Sequence, residues 1–384
     1  MNRQVVYLDN AASTPIDPEV LDAMLPWLQG IASAGNPSSI HSVGRAARSA
    51  IDLARESVAD LISADFSEIT FTSGGTEADN LAILGSANAE KRGRSQVATT
   101  AIEHHAVLNA VHLLEDRGWT VNTVQSDRTG HIPYSEWGTA ISEQTAIVAC
   151  MHANNELGTM QDIRAVVQAA SKVNATVHVD AVQSLPWVDL NVRTLDFDLC
   201  AISAHKIYGP KGIGALYIKQ GCSVFPLLVG GSQEREKRAG TENVAAIVGF
   251  GAAARLLKGR RAEDAKRVAL LRDRLIQRMS NTLSGLRIHG GEPMLPNIVN
   301  FAIVGVEGPT LLMNLDREGI CASSGAACSS GSIEPSHVLR ALGCSSTQAA
   351  SGVRLSLGRT TTIEEVDHVV DTLQRIVERL PSRG

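Results

Sequence analysis

The sequence predicts an α/β protein, with a large domain built on a mostly parallel sheet under helices and a smaller second domain. Three observations predict it. Short apolar runs alternate with helical patterns through most of the chain, an order that places parallel strands between helical crossovers. After about residue 255 the texture changes to apolar residues at helical spacing with arginines between them. The length, 384 residues, exceeds one ordinary small domain and suits a large domain plus a smaller one.

Taken in order, Ile69-Thr70-Phe71 reads as a strand, and Gly74-Gly75-Thr76-Glu77 as a turn into a helix. Further strands are expected at Val97–Thr100, Thr120–Val124, Ile147–Met151, Thr176–Asp180, Leu199–Ser203 and Ala215–Ile218, with a helix at Ile163–Val173. Beyond 255, Val268, Leu271, Leu275 and Met279 share one helical face, and the arginines between them read as its solvated side. Val299–Val304 reads as a strand. Thr362 and Glu365 form a capping box, followed by Val366, Val369, Leu373, Ile376 and Leu380 on one face. The second domain is therefore expected from about 256 to 384.

Composition narrows the function. Hydrophobic residues are 44% and charged residues 20%, enough for a substantial core. A net charge of −5 argues against direct nucleic-acid binding by bulk electrostatics. No apolar run reaches membrane-spanning length, so no membrane association is expected. Met1-Asn2-Arg3-Gln4 leads straight into an apolar run without a secretory pattern, and a cytoplasmic protein is expected. The six cysteines form no CxxC pair, which leaves little support for a metal site or a disulfide framework. Cys150 and Cys200 lie in apolar strand runs and read as small buried hydrophobes. Cys328 differs, because Ser323-Ser324-Gly325-Ala326-Ala327-Cys328-Ser329-Ser330-Gly331 surrounds it with small residues.

The chemistry-bearing residues follow strands. Lys206 lies in Ser203-Ala204-His205-Lys206, and Asp180 ends the run His178-Val179-Asp180. A lysine to form a Schiff base and a strand-end carboxylate to keep a ring nitrogen protonated fit pyridoxal phosphate. Gln183 could donate to the ring oxygen. Ser203 and His205 could donate to the phosphate, and Thr241 could serve a phosphate, in an oligomer the neighbour's. Gly75 and Thr76 open a helix whose free N–H groups suit a phosphate, although a glycine turn there also occurs in proteins that bind none. It is not the GxGxxG dinucleotide pattern. His104 or His105 could stack on the ring and move protons, or simply open a helix. Asn155 and Arg354 suit an α-carboxylate, since a guanidinium binds it bidentately, although an Arg in a strand is otherwise usually an edge residue.

Together these stretches resemble the NifS/IscS-type cysteine desulfurases, class V of the aminotransferase superfamily. The matching motifs include Tyr7–Ala12, Gly35–Ser39, Thr72–Asn80, Glu103–Val107, Asn154–Glu156, His178–Gln183, His205–Gly212, Arg238–Glu242, Ser323–Gly331 and Glu334–Arg340. The resemblance covers nearly the whole chain. It implies the fold-type I architecture: a large domain, 16–255, with a mostly parallel seven-stranded sheet, and a small α+β domain formed by 1–15 and 256–384. The small domain would carry the catalytic cysteine loop at about 321–333. It implies pyridoxal phosphate on Lys206, with Asp180 at the ring nitrogen, Gln183 at the ring oxygen and His104 over the ring. Phosphate contacts fall on Thr76, Ser203, His205 and, across a homodimer, Thr241. Ala204 departs from a common glycine, and His105 from lysine or proline. The chain ends soon after its last helix, where members that supply iron–sulfur scaffolds often carry a longer tail.

The implied reaction turns L-cysteine into L-alanine and leaves sulfur on Cys328 as a persulfide. The sulfur would pass to an acceptor in iron–sulfur cluster assembly, tRNA thiolation or DNA phosphorothioation: an iron–sulfur scaffold protein or a thiolation enzyme. No resident metal is expected, with Cys328 a candidate transient cluster ligand. The rival readings are a selenocysteine lyase or another class V aminotransferase or lyase, neither of which need depend on Cys328.

Overall fold

The computed structural model describes residues 5–324 and 335–380. Its strands are β1 (Val6–Tyr7), β2 (Ile69–Thr72), β3 (Gln96–Thr100), β4 (Thr120–Val124), β5 (Thr145–Met151) and β6 (Thr176–Asp180). They continue with β7 (Leu199–Ser203), β8 (Gly214–Ile218), β9 (Leu286–His289), β10 (Ile298–Ile303), β11 (Ile320–Cys321) and β12 (Val353–Ser356).

Seven strands form one sheet in the order β2-β8-β7-β6-β5-β3-β4. Only β8 runs against its neighbours, while β7, β6, β5, β3 and β4 pair in parallel. The expected mostly parallel sheet is therefore present. Its central strands read clearly in sequence because they are covered on both faces: every residue of β5 and β7 is buried. At the edge, β4 leaves four of its five residues at least partly exposed.

Several boundaries move for local reasons. The helix expected to reach Val173 ends at Ser171, before Asn174 takes a left-handed backbone. The strand expected to include Val304 ends at Ile303; Val304 is exposed and precedes Gly305, which has a φ of 80°. The Thr362–Glu365 capping box is formed, and it starts the helix Ile363–Arg379.

A second core packs Val268, Leu271, Leu275 and Met279 against β10, β12 and the helix Ile363–Arg379. Val6, Leu8 and Ala11 belong to this core too, although they start the chain. The three-stranded sheet β12-β10-β9 and the parallel pair β1-β11 accompany it. One helix, Val244–Thr282, serves both cores: Phe250 and Ala253 face the large one, and Leu271 and Leu275 the second. Residues 255 and 256 lie inside this unbroken helix. Among the described residues no helix is long and apolar enough to cross a membrane.

Candidate active site

A cavity of about 340 Å³ opens at the carboxyl ends of the parallel strands. This is where open α/β sheets bind ligands. Gly75, Thr76, His104, Asn155, Asp180, Gln183, Ser203, His205, Lys206 and Arg354 all line it. A wider cleft, about 690 Å³, lies at the other end of the strands. Arg94 is paired there with Glu90 and Lys219 with Asp196, and the cleft holds none of Lys206, Asp180, His104 or Arg354.

Asp180 is the last residue of β6 and is buried, with one carboxylate oxygen accepting the Val182 N–H at 2.9 Å. Burial raises its pKa to about 6, opposed by that N–H and by the charge of Lys206. A cation above it would restore its ionised form. Lys206 ends a single 3-10 turn after β7, and its ammonium donates to the carbonyls of Ala11 and Ala12, the latter at 2.9 Å. Gln183 donates to Ala11 O at 2.7 Å, which fixes its amide orientation and leaves its second hydrogen for a ligand.

Ser203, 2% exposed, ends β7 with its hydroxyl unpartnered among the described residues. Across the cavity, Gly75 begins the helix Gly75–Ala89. A Cβ on Gly75 would come within 2.8 Å of the Val182 side chain, so a glycine permits this approach. The orphan hydroxyl and the helix N-terminus together suit an anion. His205 is pushed down to about 4 by burial and by the charges of Lys206 and Lys211, so it is neutral at physiological pH.

His104 caps the helix His105–Asp116, its Nδ1 accepting the Ala106 N–H at 3.1 Å. The neutral ring therefore carries its hydrogen on Nε2. Burial, Lys206, His105 and His337 lower its pKa to about 4. Arg354 on β12 is 3% exposed. It donates to Asn155 O at 2.8 Å and to the Asp9 carboxylate at 2.8 Å, while its Nε has no partner among the described residues. That buried donor suits an added carboxylate.

Thr241 is exposed and does not line this cavity. Cys328 lies outside the described residues. Ser323, before it, exchanges backbone bonds with Arg354. Ser336 and His337, after it, bond Glu156 and the Glu103 carbonyl at 2.6 and 2.9 Å. In the five described cysteines the thiol pKa is raised, with burial the first cause in each. Among the described residues no cluster of His, Cys, Asp or Glu could hold a metal ion.

The sequence reading missed Asp9 and Asp79. Asp79 lines the cavity and meets His178 Nε2 at 2.9 Å, both side chains buried. Burial, with the Asp180 and Glu103 carboxyls nearby, favours protonated Asp79, and burial pushes His178 down to about 3. Both shifts disfavour charge on the pair beside Asp180. The strand period was the available signal, since His178 and Asp180 share one face of β6.

The sheet and this cavity define a fold-type I, pyridoxal phosphate-dependent protein, and the residues present fit the cofactor: a lysine, a strand-end aspartate and an unpaired hydroxyl at a helix N-terminus. The family model for aminotransferase class-V matches residues 6–369, and the chain belongs to that family, whose members depend on pyridoxal phosphate. A cysteine desulfurase IscS of Dictyoglomus turgidum is 44% identical over 379 residues, covering 98% of this chain and 96% of its own length. A solved NifS-like protein superposes with a TM-score of 0.92 at 35% identity, covering 98% of this chain and all of the other. A structure described as SspA in complex with cysteine has a TM-score of 0.81 at 34% identity, over 93% of this chain and all of that one.

Proposed function

We propose that this protein is a cysteine desulfurase that moves the sulfur of L-cysteine onto Cys328 and releases L-alanine. The observation that carries the reading is the convergence of Lys206, Asp180, His104 and Arg354 on one cavity beside the unpaired Ser203 hydroxyl. The desulfurase relatives and the cysteine-bound neighbour support it.

Bound at Lys206, pyridoxal phosphate supplies an electron sink for the substrate Cα. The chain's own residues do the rest. Arg354, oriented by Asp9, takes the α-carboxylate with Asn155 beside it. Ser203, His205 and the Gly75–Thr76 helix end hold the phosphate. Asp180 keeps its negative charge against the ring nitrogen's proton. The freed Lys206 amine takes the Cα proton. His104 enters with a proton on Nε2, which it gives to the carbon that loses sulfur, and it regains one from the substrate thiol. The Cys328 thiolate then attacks the substrate sulfur: an S–S bond forms, the C–S bond breaks with its electron pair moving to carbon, and that carbon gains a proton as alanine forms. Cys328 is left as a persulfide.

A homodimer accompanies this reading. Phe225, Leu228 and Val229 are exposed, Val229 at 81%, and the Ala239 N–H donates to the Leu228 carbonyl just before Thr241. Such an apolar patch suits a partner subunit that receives Thr241 at its phosphate. The split into two cores supports 16–255 as the cofactor domain, with 1–15 and 256–384 as the second. A cytoplasmic location and a protein acceptor for the sulfur, an iron–sulfur scaffold or a thiolation enzyme, complete the proposal.

Peptide mass analysis after one turnover with L-cysteine tests it. One added sulfur on the Cys328 peptide is expected. Alanine and sulfide appearing with no modified peptide would overturn it.

A further inference from the structure

We propose that Glu234 is a positioning residue for the partner subunit's cofactor phosphate: with Arg55 and Arg238, it clamps the segment that presents Thr241. The inference rests on the dimer reading above.

The segment is backbone-strained. Glu234, Arg235 and Glu236 are consecutive non-glycine residues with φ of 47°, 54° and 63°. L-residues visit this region singly and at a cost, so three in a row persist only where the surroundings over-determine them.

The surroundings here are specific. Glu234 is 6% exposed and binds Arg55 through both carboxylate oxygens, at 2.6 and 2.7 Å. One of those oxygens also accepts the Phe71 N–H of β2 at 2.8 Å. Arg55 is itself fixed, donating to the Ile69 carbonyl at 2.8 Å and lying 4.6 Å over the Phe71 ring. Arg235 covers Phe66 at 5.0 Å. A buried bidentate pair is directional, so it sets the backbone of the turn and not merely its presence.

A second tie follows four residues on. Arg238 donates to Glu77 at 2.9 Å through Nε, and Glu77 also accepts the Ser73 N–H at 2.8 Å. Ser73 and Glu77 flank the Gly74–Thr76 turn. The segment is thus pinned to β2 before that turn and to the helix after it, and Thr241 emerges exposed three residues beyond Arg238. Nothing in the described cavity of the same subunit uses Thr241. The strain, the buried clamp and the second tie make sense together if the placement of Thr241 matters to another subunit.

The test uses mixed dimers of full-length chains loaded with cofactor. One subunit carries Lys206→Ala, so the visible band of cofactor on Lys206 reports the other subunit's site alone. Glu234→Gln is placed either on the silenced subunit or on the Lys206-bearing one, and the decay of the band is followed after dilution into a trap for free pyridoxal phosphate. Decay should quicken about tenfold, the effect of one lost phosphate hydrogen bond, when the substitution is on the silenced subunit, and much less in the other arrangement. No change, equal change, or a larger change in the second arrangement makes the clamp a support of its own subunit and overturns the proposal. If Glu234→Gln chains do not fold, Arg238→Gln is read the same way. Sedimentation of the wild-type protein separates the two failures. A monomer removes the dimer reading and this inference with it, whereas a dimer without the crossed effect removes only this inference.

Discussion

The Asp9 carboxylate holds the Arg354 guanidinium at 2.8 Å across the junction of the chain's first residues with β12. Arg354 is almost fully buried, and Asp9 is its one carboxylate partner among the described residues. Removing that carboxylate leaves a buried cation short of a counter-ion. Asp9→Asn should destabilise the protein by about 1–3 kcal/mol, at the lower end because Asp9 is partly exposed. L-Alanine, whose carboxylate replaces the lost charge, should recover part of that loss. Thermal unfolding with and without L-alanine checks this: a larger ligand shift in the variant is expected, and equal shifts would remove Asp9 from the account.

Asp180 gives a pH prediction for the cofactor-free protein. Its pKa, raised to about 6, means that it is protonated below that pH and cannot hold a ring-nitrogen proton. Pyridoxal phosphate affinity should therefore fall as pH drops from 7 to 5, by up to about tenfold per unit below 6. Asp180→Asn should bind weakly throughout and lose this part of the slope. Titrations at fixed ionic strength compare the two slopes, and parallel curves would contradict the assignment.

His152 gives a second pH prediction, this time for stability. It is buried, bonded to the Ser184 hydroxyl at 2.9 Å, and its pKa is lowered to about 4 by burial. The unfolded chain therefore binds more protons than the folded one between about pH 6.5 and 4. His152 contributes stability that is intact above 6.5 and lost as pH falls through that window, at most about 3 kcal/mol. Urea unfolding at pH 7 and pH 4.5 should show a smaller acid loss in His152→Gln than in the wild type. An unchanged acid loss would mean that the imidazole is not held neutral.

How much was legible in the sequence follows from locality. The strands β5 and β7 were legible because burial on both faces makes each an almost unbroken apolar run, and β6 because Val177 and Val179 alternate with His178 before Asp180. Asp180 and Ser203 were legible with them as the last residues of β6 and β7, and Lys206 as a residue one short turn beyond β7. The Asp9–Arg354 and Gln183–Ala11 contacts join distant parts of the chain, and no local pattern marks them. The pair β1–β11 is two residues long on each side, too short for any period to show. The helix Val244–Thr282 read as a change of texture because its first half faces the large core mostly with alanine and glycine, its second half with leucine, valine and methionine.

The central claim is that cofactor chemistry and C–S cleavage are separate tasks, the first belonging to the described cavity and the second to Cys328. Cys328→Ala divides them. L-Cysteine added to the purified variant should still change the cofactor's visible spectrum, because Lys206, Asp180, Asn155 and Arg354 are intact. Alanine and sulfide should fall to background, since the five other cysteines have thiols held above their ordinary pKa. Alanine and sulfide formed at near wild-type rates would contradict the account and make the protein a lyase.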